Sequence, residues 1–214
     1  MTKRLEGKAG QYPRDPHNWY REPRSTVEQL ADVRLPNGDT LFGDDLIFDP
    51  CCGKGNVLDV FKSRGHRTVG SDIIDRHPRH DFHQSNVLHR TTWPRVAGKP
   101  LSIVTNPPYG KQDGYRSIGS DIVHRIINLA PFRRAAFLLP IEFLCGQDRF
   151  GMYQRWKPSH VAYCSERPSM PPGAMVEDMG DAAYTNGMAD YCWIIWTAPH
   201  GWRTESIWLR PSDQ

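Results

Sequence analysis

The run Leu101-Ser102-Ile103-Val104-Thr105 stops abruptly at Asn106-Pro107-Pro108-Tyr109. Five residues this rich in apolar and β-branched side chains read as a buried strand. Proline fixes its φ, has no N–H for a ladder, and biases the residue before it away from the helix. The strand therefore cannot run on, and a stiff turn follows it. Such a turn holds the Asn106 amide and the Pro107 carbonyl in fixed positions. The amide brings an acceptor oxygen and two N–H donors, and the carbonyl is an acceptor only. Tyr109 adds a flat aromatic face. Together they suit a planar, nitrogen-bearing group, such as a base, held by its edge and its face. The alternative is an Asn-Pro turn with no chemistry.

A second motif lies upstream. Leu46-Ile47-Phe48 leads into Asp49-Pro50-Cys51-Cys52-Gly53-Lys54-Gly55, and a helical stretch starts near Val57. Strand, loop and helix in that order are what a cofactor loop requires, and glycines let the backbone bend and a ligand approach. Lys54 is not followed by Ser or Thr, so this is not the phosphate loop of nucleotide hydrolases, and the third glycine of the dinucleotide fingerprint is missing. Asp-Pro-x-x-Gly-x-Gly followed by Asn-Pro-Pro-Tyr resembles the class I S-adenosylmethionine-dependent methyltransferases, in particular the amino-methylating branch typified by DNA adenine-N6 enzymes. The resemblance spans residues 18 to 197 and is strongest at these two motifs.

That resemblance implies S-adenosylmethionine as cofactor, with Asp49, Pro50, Cys51, Gly53 and Gly55 around it. Asp72 ends the strand-like run 67–73 and lies 23 residues beyond Asp49. An acid so placed accepts hydrogen bonds from ribose hydroxyls, and Ile73 would pack on the adenine ring. Asn86, next to Val87, stands where the family usually carries an acid that binds the adenine amine. Its oxygen can accept, but without the charge. Tyr20-Arg21-Glu22-Pro23 loosely matches a Tyr-x-x-Pro stretch that closes over the methionine end, with Glu where Thr is often found; Tyr20 and Pro23 carry the match. Asn106, Pro107, Pro108 and Tyr109 would be catalytic, Asn106 also touching the cofactor. The implied chemistry is direct methyl transfer to an exocyclic amine, adenine N6 in DNA being favoured. An RNA base, a protein glutamine, or a non-catalytic cofactor-binding remnant stay open.

Strand-like runs (46–49, 67–73, near Phe82, 101–105, 134–140, 161–164) alternate with helical ones (121–129 and 147–156), and Ser25 or Thr26 could cap an early helix carrying Val27, Leu30 and Ala31. Alternation predicts a doubly wound, mostly parallel α/β sheet with helices on both faces. The family likeness makes it seven-stranded, with 191–196 as an antiparallel last strand; 202–209 reads as a short edge strand. Residues 1–17 read as a flexible arm and 18–214 as one methyltransferase domain. No separate target-recognition domain is expected, which points to weak site selectivity or to a protein partner supplying recognition. Two loops stand out: the glycine-punctuated 110–119, whose Lys111, Tyr115 and Arg116 either touch substrate or are simply solvated, and the irregular 165–189 with four methionines.

Charge is a weaker guide. The net charge of +3 does not by itself imply a nucleic-acid partner, but arginine supplies 20 of the 27 basic residues, and its planar fork suits phosphate. Genomic composition bias explains that excess equally well. No apolar run approaches a membrane span, and Met1 to Gly10 has no apolar core behind its charges, so neither an anchor nor a signal peptide is expected. Cysteines 51, 52, 145, 164 and 192 form no Cys-x-x-Cys pair and read as reduced thiols of a cytoplasmic protein. His77, His80 and His83 fit no usual zinc spacing, so no metal is expected.

Overall fold

The computed structural model describes residues 15, 17–76, 81–112, 116–185 and 187–211. Nearly all of the 1–17 arm, and His77 and His80, lie outside the described residues. Strands β1 (Leu46–Asp49), β2 (Thr68–Asp72), β3 (Asp81–Gln84), β4 (Leu101–Thr105), β7 (Arg134–Pro140), β8 (His160–Tyr163), β9 (Tyr191–Thr197) and β10 (Glu205–Trp208) build one sheet, in the order β10-β8-β9-β7-β4-β1-β2-β3. β9 alone runs against its neighbours β7 and β8. The seven expected strands are present. β10 makes the sheet eight-stranded, because it pairs in parallel with the outer edge of β8.

Side chains alternate across the pleat and split the core in two. Ile47, Val104, Leu138 and Trp193 face α1 (Arg24–Ala31) and α2 (Asn56–Ser63), meeting Val27, Leu30, Leu58 and Phe61. Phe48, Ile103, Phe137 and Trp196 face α3 (Ile118–Leu129) and α4 (Gln147–Arg155), meeting Ile122, Val123, Ile126 and Met152. Most of these are fully buried, each worth about 1.5–3 kcal/mol over an exposed position.

Some boundaries differ from the sequence reading. Pro23, not Ser25 or Thr26, occupies the N-cap of α1, and no side chain caps it. The proline φ suits a helix entry, and Thr26 lies inside, its carbonyl accepting from the Trp193 indole at 3.2 Å. α3 starts at Ile118, so Asp121 sits in its first turn, where a negative charge suits the helix dipole. Within the 110–119 loop, β5 (Lys111–Gln112) and β6 (Arg116–Ser117) pair antiparallel. Tyr115 lies outside the described residues. The 165–189 segment contains α5 (Val176–Met179) and a 3-10 turn, Gly180–Tyr184. The crossover from β3 to β4, residues 85–100, carries a single 3-10 turn, Val87–His89, and no α-helix. The five cysteines are free thiols. Among the described residues no helix is long and apolar enough to cross a membrane.

Candidate active site

Parallel strands end on one side of a sheet, and β1 and β4 are neighbours. Asp49 at the end of β1 and Asn106 just past β4 therefore meet at the same edge, where open α/β sheets bind ligands. Asp49 is 2% exposed. Its Oδ1 accepts from the Cys51 N–H at 3.0 Å and from the Thr105 hydroxyl at 2.7 Å. Burial pushes the Asp49 carboxyl well above the usual carboxylate range; those two bonds oppose the rise, and the charges of Glu22 and Asp72 add to it.

Gly53 (φ 51°) and Gly55 (φ 88°) take left-handed conformations that a Cβ disfavours, and Gly55 opens α2. The Gly53 N–H donates to Asp72 Oδ2 at 2.9 Å. Asp72 Oδ1 accepts from the Ile74 N–H at 3.1 Å and the Arg76 guanidinium at 2.9 Å. Arg76 in turn lies 4.3 Å from the centre of the Trp19 ring. Three of about four lone-pair sites on a carboxylate are thereby filled. One remains for a ligand hydroxyl, or more if Arg76 moves aside.

Glu22, 5% exposed, holds two asparagine amides. Asn56 Nδ2 donates to it at 2.9 Å and Asn106 Nδ2 at 2.8 Å. Asn106 Nδ2 also donates to the Tyr20 carbonyl at 3.1 Å. Both amide hydrogens of Asn106 are thus used, and its oxygen is turned to the Tyr109 hydroxyl. That hydroxyl also reaches the Leu138 carbonyl at 2.9 Å. Its single proton can serve either acceptor, so an amine arriving at Asn106 leaves Tyr109 with Leu138. Burial holds the Tyr109 phenol well above its ordinary value, which makes it a proton-bearing donor. Its ring packs 5.8 Å from Tyr191, tilted by 42°. Burial raises the Glu22 carboxyl too, while the Asn106 and Asn56 bonds pull it down.

These groups surround a cleft of about 1020 Å³, open solvent at its mouth included. Of the residues expected from sequence, Tyr20, Asp49, Pro50, Cys51, Asp72 and Ile73 line it. So do Asn86 and Val87, and the turn Asn106 to Tyr109. Ile73 is 48% exposed, a bare aliphatic surface suited to a flat ring. Pro23, Gly53 and Gly55 do not line the cleft; Pro23 starts α1, and the glycines shape the loop behind it. Asn86 Oδ1 accepts from the Leu88 N–H at 2.9 Å and so caps the 3-10 turn.

Sequence reasoning missed Trp19, Asn56 and Arg76, which also line the cleft, and saw Glu22 only as a departure from a pattern. Arg76 stands four residues past Asp72, a spacing that offered a signal; Trp19 offered none. The irregular 165–189 segment is part of the same construction. The Arg21 N–H donates to the Pro171 carbonyl at 3.0 Å, the Gly173 N–H donates to the Trp19 carbonyl at 2.9 Å, and Lys54 pairs with Glu177. Residues 19–21 are thereby strapped to 171–173 beside the glycine loop.

No protein-family model matches the chain, and no curated protein sequence matches it. Solved structures do. A Listeria monocytogenes protein described as a candidate class I S-adenosylmethionine-dependent methyltransferase superposes with a TM-score of 0.51 at 11% identity, over 87% of this chain and 62% of that one. The chain thus spans less than two thirds of that relative. A Pyrococcus horikoshii protein described as a candidate RNA methyltransferase gives a TM-score of 0.51 at 11% identity, over 83% of this chain and 86% of that one. These likenesses establish the architecture as a Rossmann-like methyltransferase fold.

Proposed function

We propose that this chain transfers a methyl group from S-adenosylmethionine to an exocyclic amine, with adenine N6 of DNA as the favoured acceptor. The observation that carries the reading is the amide of Asn106. Its nitrogen is held by Tyr20 and Glu22, so its oxygen is left as an acceptor at the carboxyl end of β4. Asp72 with Ile73, and the loop after Asp49, fit the cofactor's ribose, ring and remaining length. When bound, S-adenosylmethionine supplies an electrophilic methyl group.

The chain's own residues orient the acceptor. Asn106 Oδ1 and the Pro107 carbonyl take hydrogen bonds from the amine and offset the positive charge that grows on nitrogen as it attacks. This is positioning and electrostatic stabilisation, and it needs no tuned general base. Tyr109, held protonated, is not a base. Its ring lines the cleft as a face for a base that has been taken out of a duplex. Target selection falls to the segment around β5 and β6, the 165–189 segment or a protein partner.

The test is transfer of labelled methyl to duplex DNA, single-stranded DNA, total RNA and protein extract in parallel. Asn106→Ala should lower transfer by about 10²–10³ while cofactor binding persists. Label as N6-methyladenine in DNA supports the reading. Label in RNA keeps the chemistry and changes the substrate, and label only in protein moves it to glutamine. Cofactor binding without label in any acceptor would sink it in favour of a binding module.

A further inference from the structure

The β3 edge carries a second cleft, outside the site described above. In a parallel crossover a helix usually covers the sheet face. Here residues 85–100 supply only the Val87–His89 turn and an extended stretch, and a groove of about 1460 Å³, open solvent included, is left beside β2 and β3. Val69 pairs in register with Asp81, and Ser71 with His83, so these residues share the face that the absent helix would have covered.

The groove is positively charged. Arg67, Arg90 and Arg95 line it with His83 and His89, against a single acid, Asp81. Among the described residues no ion pair engages any of the three arginines. Arg67 and Arg95 are exposed. Arg90 is half-buried, its guanidinium 5.0 Å from the centre of the Phe48 ring and donating to the Thr92 carbonyl at 3.0 Å, while its Nε has no partner. A guanidinium held on a ring and a carbonyl in this way is fixed at the groove wall; its Nε is buried, so phosphate contact falls to its other nitrogens and to the exposed Arg67 and Arg95.

The groove also borders the first cleft. Val87 and Leu88 line that cleft, and His89, the next residue of the same turn, lines the groove. β3 stands three strands from β4, about 14 Å at ordinary strand spacing. Along the strands, Arg67 is level with Leu101, five residues or about 16 Å before Asn106. The groove therefore runs from the amino end of β2 towards the first cleft, and at Arg67 it is about 20 Å from the amine-binding turn, within reach of nucleotides flanking a target base.

We propose that this groove binds the phosphodiester backbone of a single nucleic-acid strand, through Arg67, Arg90 and Arg95. The choice of nucleic acid over another polyanion rests on the methyl-transfer reading; the binding itself does not. The test uses oligo(dT), whose base has no exocyclic amine, so no turnover enters the measurement. Its binding to the whole chain is followed by fluorescence anisotropy across a salt series. Arg67→Glu/Arg95→Glu should weaken binding at least tenfold and lower the salt slope by about 1.4, near 0.7 for each lost phosphate contact on a single strand.

A charge-matched control, Arg155→Glu/Arg210→Glu, lies at the β8–β10 side of the sheet and should bind like the native chain. Unchanged melting temperatures guard against misfolding, which is expected to be absent because the substituted side chains are exposed. The proposal is overturned by no binding of oligo(dT), by unchanged affinity and slope, by an equal loss in the control, or by equal competition from poly-glutamate, which would mark a surface for acidic protein. Binding through the groove with no methyl transfer would leave this proposal standing and remove only the methyl-transfer reading.

Discussion

An asparagine amide can turn end for end with little change of shape, so what presents the Asn106 oxygen is the company kept by its nitrogen. Glu22 offers two acceptor oxygens, one to Asn56 and one to Asn106. Glutamine there would offer one oxygen and one NH₂, and one asparagine would have to turn over. Glu22→Gln is therefore expected to lower methyl transfer roughly 10- to 100-fold, the scale of one lost buried hydrogen bond at about 1–3 kcal/mol. Equal kcat in the variant would sink the idea. A titration gives an independent check. Burial raises the carboxyls of Asp49 and Glu22 above their ordinary 3.8 and 4.5, so the folded chain keeps protons that the unfolded chain has released. Their stabilisation is complete below the ordinary values and is lost as pH rises through the raised ones. The cofactor-free chain should melt at progressively lower temperature above about pH 4.5 on their account. Asp49→Asn keeps an oxygen for Cys51 and Thr105 and should flatten that slope; parallel melting profiles would refute it.

At the level of elements, both motif turns were legible because each rests on local chemistry. Two prolines stop β4, and two left-handed glycines bend the loop after β1. The strap was not legible. It is made of main-chain hydrogen bonds between residues 19–21 and 171–173, and main-chain atoms leave no trace in side-chain identity. Gly173 is its tightest point, since a Cβ there would fall 2.2 Å from Trp19 Cε2. Gly173→Ala should displace the indole and weaken cofactor binding about tenfold, some 1.4 kcal/mol. In a Trp19→Ala background the same change should cost little more, because the clash has been removed. Calorimetric titration of the native chain and the three variants checks this, and simple additivity would argue against the strap.

Across the whole molecule, the two cores share one sheet, and so they should unfold together. Trp196 is fully buried, with its indole N–H on the Trp156 carbonyl at 3.0 Å. Trp196→Ala should cost about 3–5 kcal/mol, and near- and far-ultraviolet circular dichroism should still report one coincident transition. Separate transitions would show that the faces are independent. The alternation of strands and helices foretold this architecture, and the eighth strand was foreseen only as an edge. The charged groove was hidden for a different reason. A net charge of +3 is a sum over the chain, whereas Arg67 comes from before β2 and Arg90 and Arg95 from after β3. Only the fold brings them together.

β9 lies between β7 and β8 yet follows both in the chain. On the ribosome, then, two strands destined to be separated must wait with their facing edges bare. Trp19 must likewise wait for Gly173, roughly 8–30 s at ordinary elongation rates of about 5–20 residues per second. A ribosome halted between Tyr163 and Tyr191 does not release a shorter version of this protein. It releases a sheet that ends at a bare β7 edge, with β8 lacking both its neighbours β9 and β10 and open to pairing with any other chain, and such a product is work for chaperones and proteases.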